Sequence, residues 1–306
     1  MDKIKWFLGI LSGVVTFLLM ITSCEKFEGS QTIPAYIQVN SFQLVANPEV
    51  ELGALTENFT DVWVYVDDQL IGAYELPSFH IPVLFEGKHK LTLYPGIEYN
   101  GISGTRGPYL FVEPAEYSGF NLIVDFIDSI PPPQVKYYSS TKLPWYEDFE
   151  TGNIQLVSTT NSDTSLQFYP FDPIHPMYGN AAGAGYLVGS NTVLELTSED
   201  PDIPEGFEMP ANSAPVVVEI DYNTNNSFIV GMIIIEVGIQ ITQHPVVVVN
   251  PTGGEWNKIY VNLTPTVNDN YNADYFKIFI RMDKSSSVEE ATLLLDNVKL
   301  IYKDFS

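Results

Sequence analysis

The amino-acid sequence predicts an all-β protein with two domains. Short runs of β-branched and aromatic residues recur between clusters of Gly, Pro, Asn and Asp, which is the pattern of strands separated by turns. Helical periodicity is nearly absent. Of the 306 residues, 45% are hydrophobic and 13% are aromatic, so the chain has enough apolar side chains for packed cores. This length favours two domains.

Residues 1–23 have the pattern of a secretory signal peptide. Lys3 and Lys5 make a basic start, an apolar run follows, and the small residue Ser23 ends the segment. The apolar run is shorter than the roughly 20 residues that a membrane-spanning helix needs. The segment therefore predicts export from the cytoplasm.

The end of this segment, LMITSC at residues 19–24, resembles the bacterial lipoprotein box. The resemblance implies that Cys24, the only cysteine of the chain, becomes the first mature residue and carries lipid. Several acyl chains hold a protein firmly on a membrane. An ordinary signal with a chance cysteine and an uncleaved anchor are the alternatives.

Residues 24–32 form the predicted tether between the lipid and the folded body. The stretch EKFE at residues 25–28 resembles the surface-export signal of Bacteroidota lipoproteins. That resemblance implies a place on the outer face of the outer membrane. A plain polar tether on the periplasmic side is the alternative.

The charge of the chain restricts its partners. There are 38 acidic and 14 basic residues, a net charge of −24. Without the one acid and two lysines of the signal, the mature charge is −25. Nucleic acid is excluded as a partner because phosphate binding needs clustered Lys and Arg. Adsorption to anionic lipid is disfavoured for the same reason, whereas divalent cations are plausible ligands.

The first domain is predicted over residues 33–126 as an immunoglobulin-like β-sandwich. A strand ending at Val66-Asp67-Asp68, a following Gly72, and Gly87-Lys88-His89 at the start of another strand resemble small modules of the PEGA type. Asp68 stands where such modules have Gly, and Lys88 is an insertion. The resemblance implies a spacer or an adhesive surface.

Residues 127–143 are predicted as a linker. Its three prolines, at positions 131–133, favour an extended and stiff connection. Asp128-Ser129-Ile130 resembles the O-glycosylation motif of Bacteroidota, which implies a sugar on Ser129.

The second domain is predicted over residues 144–303 as a jelly-roll β-sandwich. Residues 275–282 alternate as a strand with one buried face does, and residues 228–241 are predicted as one long or bent core strand. Three stretches resemble jelly-roll modules of the carbohydrate-binding or galactose-binding-like kind: YEDFETG at 146–152, EWNKIYVNL at 255–263 and LLDNVKL at 294–300. Such sandwiches host many functions.

The same resemblance implies a structural calcium ion. In such modules the first and last strands lie side by side, and acids on them share the ion. Glu150 and Asp296 are the candidate ligands, with Glu147 and Asp148 as weaker ones. Calcium binds six to eight oxygens from carboxylates and carbonyls. Solvated or turn-bound acids are the alternative.

The sequence contains no complete catalytic motif among those considered. Glu219-Ile220-Asp221 begins like the E-[ILV]-D-x-x-E strand of a laminarinase-like family, but Thr224 replaces the last carboxylate. A retaining hydrolase needs two carboxyl groups about 5 Å apart. The four histidines are not closely grouped, and neither a G-x-S-x-G motif nor a usable thiol is present. We therefore expect no enzyme activity and no catalytic cofactor.

An irregular, aromatic-rich segment at residues 166–186 is the candidate ligand-binding region. Aromatic rings exposed on loops stack on sugars or bind other proteins. The candidate residues are Tyr169, Phe171, Tyr178 and Tyr186. The alternative is that these rings only cover the open end of the sandwich.

Together these features predict a lipid-anchored protein of the outer membrane, exposed at the cell surface. Its expected role is that of a non-catalytic accessory subunit in an outer-membrane protein complex, either β-barrel assembly or nutrient uptake. The alternative is a glycan-binding lipoprotein that uses the jelly-roll aromatics.

Overall fold

The computed structural model describes residues 33–170 and 179–303. It confirms the all-β fold class, with an immunoglobulin-like sandwich followed by a jelly roll. Cys24, the tether, Phe171 and Tyr178 lie outside the described residues. Within the described part, no helix is long and apolar enough to cross a membrane.

The N-terminal domain consists of ten strands. They are β1 (Ala35–Val39), β2 (Gln43–Leu44), β3 (Asp61–Val66), β4 (Gln69–Glu75), β5 (Ser78–Val83), β6 (Gly87–Glu98), β7 (Arg106–Pro108), β8 (Ala115–Leu122), β9 (Ile127–Ile130) and β10 (Gln134–Val135). One sheet has the order β5-β1-β9, a second has the order β4-β3-β6-β7 with β8 also paired to β6, and β10 and β2 form a two-stranded sheet. Apolar side chains of all three sheets form the core.

The segments that resemble PEGA modules lie at the end of β3 and at the start of β6. Asp67 and Asp68 form the turn between β3 and β4, both with positive φ angles of 47° and 63°. Aspartate tolerates this left-handed conformation better than most residues do. His89 in β6 contacts the Asp67 carboxylate at 2.6 Å, which holds the turn against the neighbouring strand.

Part of the predicted linker belongs to the first domain. β9 pairs in parallel with β1, and β10 pairs in parallel with β2. Tyr137 lies in the core of the domain. The prolines at 131–133 lie between these two short strands. Their extended conformation is compatible with a strand on either side.

The C-terminal domain consists of eleven strands and one short helix. They are β11 (Thr141–Glu147), β12 (Leu156–Ser158), β13 (Gln167–Pro170), β14 (Ala181–Leu187), β15 (Val193–Ser198), β16 (Val216–Thr224), β17 (Phe228–Glu236), β18 (Gln240–Val249), β19 (Asn257–Asn262), α1 (Thr264–Asp269), β20 (Tyr275–Asp283) and β21 (Ala291–Lys303).

Two sheets enclose the core of this domain. The six-stranded sheet has the order β13-β14-β21-β16-β19, with β11 also paired to β21. The five-stranded sheet has the order β12-β15-β20-β17-β18. The first and last strands, β11 and β21, lie side by side, as the jelly-roll resemblance implies.

The prediction of one long strand over residues 228–241 is wrong. The segment forms β17, a turn at residues 237–239 and the start of β18. Gly238 has a φ angle of 75°, a left-handed conformation that glycine adopts without strain. The chain therefore reverses here and makes a hairpin.

The N-terminal domain packs against the outer face of the six-stranded sheet. Val217, Tyr260 and Ile301 point out of the jelly roll and are part of the hydrophobic core of the N-terminal domain. The Tyr260 ring lies 4.8 Å from the Tyr109 ring, measured between centroids. The two domains therefore share one buried apolar interface.

Charged side chains are buried in the same interface. Lys258 Nζ lies 2.9 Å from Glu219 Oε2 and 3.3 Å from Asp221 Oδ1. The side chains of Lys258 and Glu219 are 4% and 0% exposed. Tyr137 donates its hydroxyl to Glu219 at 2.8 Å, and Tyr109 donates to the same oxygen. Both tyrosines come from the N-terminal domain.

This network controls the ionisation of its members. Burial opposes ionisation of Glu219, but Lys258 and Lys299 outweigh it and lower its pKa. Burial likewise disfavours the charged form of Lys258, but Asp221 and Glu219 outweigh it and raise its pKa. Lys258 and Glu219 are therefore ions at neutral pH.

A loop of the N-terminal domain, residues 51–60, completes the interface. Lys258 Nζ donates to Thr56 Oγ1 at 2.9 Å, and the Asn58 backbone N–H donates to the Tyr260 hydroxyl at 2.9 Å. Lys299 donates to the Ala54 carbonyl. A side chain at Gly53, where φ is 66°, would collide with the Tyr146 ring.

Replacing Lys258 tests the interface. Lys258→Met leaves Glu219 and Asp221 buried without their cation, so we expect a loss of about 3–5 kcal/mol in the free energy of unfolding. Urea denaturation measures this loss. Lys88→Met, at an exposed position, is the control and should change little. A loss below about 1 kcal/mol at Lys258 would contradict this account of the network.

Candidate functional site

Two clefts open along the seam between the domains. The first, called here the acidic cleft, has a volume of about 1120 Å³ open to solvent. Its carboxylates are Glu51, Asp148 and Glu150, and Tyr146 and Asn297 lie beside them. Glu51 comes from the N-terminal domain and the others from the jelly roll, so the cleft exists only where the domains meet.

Asp296 is buried close to the acidic cleft. It pairs in register with Asp221 across β16 and β21. Its Oδ1 accepts the Asn297 N–H at 2.7 Å, while Oδ2 is buried without a partner among the described residues. Burial, together with the charges of Asp221, Glu150 and Asp148, raises the pKa of Asp296 to about 8. The carboxyl group is therefore neutral at pH 7.

Of the two predicted calcium ligands, Asp296 has one carboxyl oxygen that is free of hydrogen bonds within the described residues, and Glu150 is already hydrogen-bonded. Glu150 accepts from Asn180 Nδ2 at 2.9 Å and from the Ala181 N–H at 3.1 Å, so its oxygens already have partners. In the ranges 33–170 and 179–303, no three His, Cys, Asp or Glu side chains are grouped as metal ligands. The unpartnered Asp296 Oδ2 is the one feature that a cation would satisfy, and calcium stays a prediction.

The second cleft, called here the amide cleft, has a volume of about 730 Å³ open to solvent. Its polar lining side chains include Asn58, Glu98, Asn100, Asn250, Thr252 and Asn257. The first three belong to the N-terminal domain and the last three to the jelly roll. The space inside it that a water-sized molecule can occupy is about 230 Å³, which is below the range of about 300–1,000 Å³ that is usual for ligand sites.

A tight turn positions Asn100 in the amide cleft. Asn100 and Gly101 have φ angles of 58° and 63°, and such Asn-Gly pairs favour tight turns that need two left-handed residues. The Asn100 Oδ1 accepts the Asn262 backbone N–H at 2.8 Å. The opposite domain therefore holds the turn in place.

Hydrogen bonds also cross the amide cleft at its base. Asn58 Nδ2 donates to Asn257 Oδ1 at 3.0 Å and to the Lys258 carbonyl at 3.1 Å. Both residues at the base are thus held by partners. The remaining amides face the open space.

Several polar groups of the amide cleft have no partner in the described part of the chain. They are the Asn250 amide, Asn100 Nδ2 and Glu98 Oε2, for which no hydrogen bond is formed there. Glu98 Oε1 accepts from Arg106 Nη2 at 2.9 Å, and Lys258 is paired within the interface. The groups left for a ligand are therefore mainly uncharged amides.

An apolar wall lies beside these amides. Val248 and Pro251 line the amide cleft, and both are exposed to solvent. An apolar wall next to amide donors and acceptors suits a ligand with one hydrophobic face and several hydroxyl groups.

The aromatic residues predicted to bind a ligand lie elsewhere. Tyr169 on β13 pairs in register with Ala182 on β14, and Tyr186 lies further along β14. Side chains two and four residues apart share a face of a strand, so the two rings lie on the outer face of the six-stranded sheet. Ala182 and Ala184 between them are buried. Ligand binding by these residues stays a prediction.

Other predicted residues are placed as follows. Ser129 is exposed on β9, and its glycosylation stays a prediction. Glu219 and Asp221, which begin the incomplete glycosidase motif, lie in the buried ion-pair network. The domain interface therefore explains why two carboxylates stand at this spacing.

Sequence reasoning missed the amide cleft. Single asparagines in turns carry no motif, and the two halves of the cleft lie far apart in the chain: Asn100 and its partner Asn262 are 162 residues apart. The Asn100-Gly101 pair was the only available signal, and it indicates a turn without indicating a ligand.

Comparisons with known proteins complete the description. No family model and no curated protein matches the sequence. Among solved structures, the chain is similar to a xylan-binding domain of carbohydrate-binding module family 22, with 9% identity and a TM-score of 0.34, covering 53% of this chain and 95% of that chain.

A family 11 carbohydrate-binding module from Clostridium thermocellum, in complex with a β-1,3-1,4-mixed-linked tetrasaccharide, is similar at 11% identity with a TM-score of 0.35. This match covers 52% of this chain and 94% of that chain. A further carbohydrate-binding module of the β-sandwich superfamily matches at 12% identity and a TM-score of 0.36, covering 78% and 84% of the two chains.

These neighbours are carbohydrate-binding β-sandwich modules. TM-scores of this size do not establish a shared function. The chain is an all-β protein of two sandwich domains with two clefts at their seam.

The Asp296→Asn variant tests the acidic cleft. With the folded-state pKa of Asp296 near 8 and the unfolded one near 4, the wild type loses stability as pH rises from 4 to 8. The variant lacks this loss. In EDTA, we expect its unfolding free energy relative to wild type to rise by about 1–3 kcal/mol between pH 5 and pH 8. Urea denaturation at both pH values measures it.

The same variant is the control for calcium. Millimolar calcium at pH 8 should stabilise the wild type and leave Asp296→Asn unchanged, because a cation needs the ionised carboxylate. Equal pH dependence of the two proteins in EDTA would show that Asp296 is ionised in the fold. Equal stability with and without calcium would contradict the predicted ion.

Proposed function

We propose that the protein is a non-catalytic glycan-binding protein, anchored to the outer membrane through Cys24, that binds a neutral sugar in the amide cleft. The observation that carries this proposal is the set of unpartnered, uncharged amides in an open cleft between two firmly packed domains. Sugar hydroxyls both donate and accept hydrogen bonds, as the amide of Asn250 also does.

Charge supports a neutral ligand over an acidic one. The mature protein has a net charge of −25, and Glu98 Oε2 lies in the cleft with no partner from residues 33–170 or 179–303. A carboxylate accepts hydrogen bonds from sugar hydroxyls but repels uronic or sialic acids. The cleft therefore favours neutral glycans.

The rigidity of the seam supports binding as well. Asn100 is held by the Asn262 N–H and Asn58 by Asn257. A ligand then meets groups that are already ordered, which reduces the entropy lost on binding. A non-catalytic role is consistent with Glu219 and Asp221 being committed to the interface.

Two matched variants test the glycan site. A glycan array should identify a neutral ligand, and calorimetry with that ligand should show binding weakened about tenfold, or about 1.4 kcal/mol, by Asn250→Ala. Asn100→Asp replaces the Nδ2 donor with a carboxylate oxygen and keeps the Oδ1 acceptor, so it should also weaken binding without unfolding the turn.

The control is Asn121→Ala, an exposed asparagine on β8, which should leave affinity unchanged. An array without neutral hits, or affinity that neither cleft variant alters, would refute the glycan proposal. If Tyr169→Ala abolished binding and the cleft variants did not, the site would lie on the jelly-roll aromatics.

The accessory-subunit role is a second candidate because β18 offers an open edge. Within the described part of the chain, β18 pairs only with β17. Ile241 and Val248 along it and Ile239 in the turn before it are exposed, and the strand has no Asp, Glu, Lys or Arg. Uncharged edge strands favour pairing with a strand of another protein.

Isolation in mild detergent tests this candidate. The lipidated protein should bring a stoichiometric β-barrel partner, and Ile241→Lys should reduce its recovery several-fold because a charge blocks strand pairing. Leu70→Lys, at an exposed apolar position of the N-terminal domain, is the control. Absence of a barrel partner, or equal recovery with both variants, would contradict docking at β18.

A further inference from the structure

An exposed apolar patch lies at one end of the N-terminal domain. Its members, called here the entry patch, are Ile33, Leu84, Ile123, Phe126 and Ile127, with exposed fractions between 42% and 65%. Large apolar side chains scattered singly are normal on protein surfaces, whereas a contiguous group indicates a contact with another apolar surface.

Backbone contacts show that these residues are neighbours. Tyr36 N–H donates to the Phe126 carbonyl at 2.9 Å, and Asp125 N–H donates to the Pro34 carbonyl at 3.0 Å. Tyr36 also pairs in register with Ile127.

Ile123 and Leu84 also lie close to Pro34. The Phe126 N–H donates to the Ile123 carbonyl at 3.2 Å. Val83 pairs with Ala35, which places Leu84 level with Pro34 on the adjacent strand. The patch therefore surrounds the point where the chain enters β1.

The entry point is also the described part of the chain nearest in sequence to Cys24, and the inference rests on the acylation of Cys24 in the proposed function. From Cys24 to Ile33 the chain can span at most about 30 Å. An acylated Cys24 therefore keeps the entry patch within about 30 Å of the membrane at all times. No other exposed apolar group of the described residues follows the anchor so directly in the chain.

We propose that the entry patch rests on the membrane surface to which Cys24 is anchored, with neutral lipid as its partner. The lipid anchor brings the patch to the bilayer, and the patch then inserts its aliphatic and aromatic side chains at the level of the headgroups. Exposed Asp125 lies in the patch, and the protein carries a net charge of −25. Anionic lipid therefore weakens the contact.

Burial of the entry patch contributes a modest free energy that acts together with the lipid anchor. Partial burial of several apolar side chains contributes roughly 25 cal/mol per Å² removed from water. A free protein would not gain enough from such a patch to remain bound, but the anchor makes the contact intramolecular and raises its effective concentration. This surface lies apart from the amide cleft and requires no glycan.

Site-specific fluorescence on the anchored protein tests the proposal. With Cys24 acylated, an introduced cysteine is the only thiol. Leu84→Cys labelled with bimane should be quenched several-fold more by spin-labelled lipid in phosphatidylcholine vesicles than Phe79→Cys. Phe79 is also exposed on β5, but lies about 17 Å further along the strand.

Serine substitutions connect the signal to the patch. Ile123→Ser with Phe126→Ser, in the Leu84→Cys background, should lower the quenching at position 84 to the level found at position 79. The anchored protein should stay on the vesicles. Ile239→Ser with Ile241→Ser, at still more exposed apolar positions of the other domain, is the control and should leave the quenching difference unchanged. Exchange of phosphatidylcholine for phosphatidylglycerol should reduce the quenching at position 84.

Three results would overturn the proposal. Equal quenching at positions 84 and 79 would show that the patch does not face lipid. Quenching that survives the double serine variant would show that the anchor alone sets the distance. Mass spectrometry that finds an unmodified sulfur at Cys24 would remove the anchor. None of these results depends on whether the amide cleft binds glycans.

Discussion

The ion pair between Lys258 and Glu219 is buried only because the N-terminal domain covers it. Both side chains project from the outer face of the six-stranded sheet, the side that would otherwise face water, yet they are 4% and 0% exposed. The hydroxyls of Tyr109 and Tyr137 and the Thr56 oxygen supply the hydrogen bonds that buried ions need. Domain separation would break this set and expose the shared apolar core. The interface therefore holds the two sandwiches in one arrangement.

Fixed domains make sites that neither domain has alone. The amide cleft takes Asn58 and Asn100 from one sandwich and Asn250 and Asn257 from the other. The acidic cleft joins Glu51 to Asp148 and Glu150. In both, hydrogen bonds to the opposite domain hold part of the lining in place, and the groups without partners face the open space. A rigid interface keeps the lining groups of both clefts ordered before any ligand binds.

The N-terminal domain thus has two working surfaces. One covers the charged face of the jelly roll. The other, at the end of β1 near Pro34, presents apolar side chains next to the point where the chain arrives from Cys24. A strongly acidic body is repelled by anionic lipid, so contact with a bilayer has to come from uncharged groups. In our proposal the entry patch supplies such groups, next to the segment that leads from Cys24.

Local pattern alone determined the all-β class, because alternation and turn residues act within a few neighbouring positions. The LLDNVKL strand and Asp296 were singled out by the resemblance to jelly-roll modules. Local pattern also joined β17 and β18 into one strand, since a single Gly238 carries little weight in an apolar run. Only the tertiary structure decided that residues 127–135 pair with β1 and β2, that Glu219 and Lys258 are buried ions, and that Asn100 meets Asn262. These contacts join residues far apart in sequence, and their energies depend on burial that no short segment can reveal.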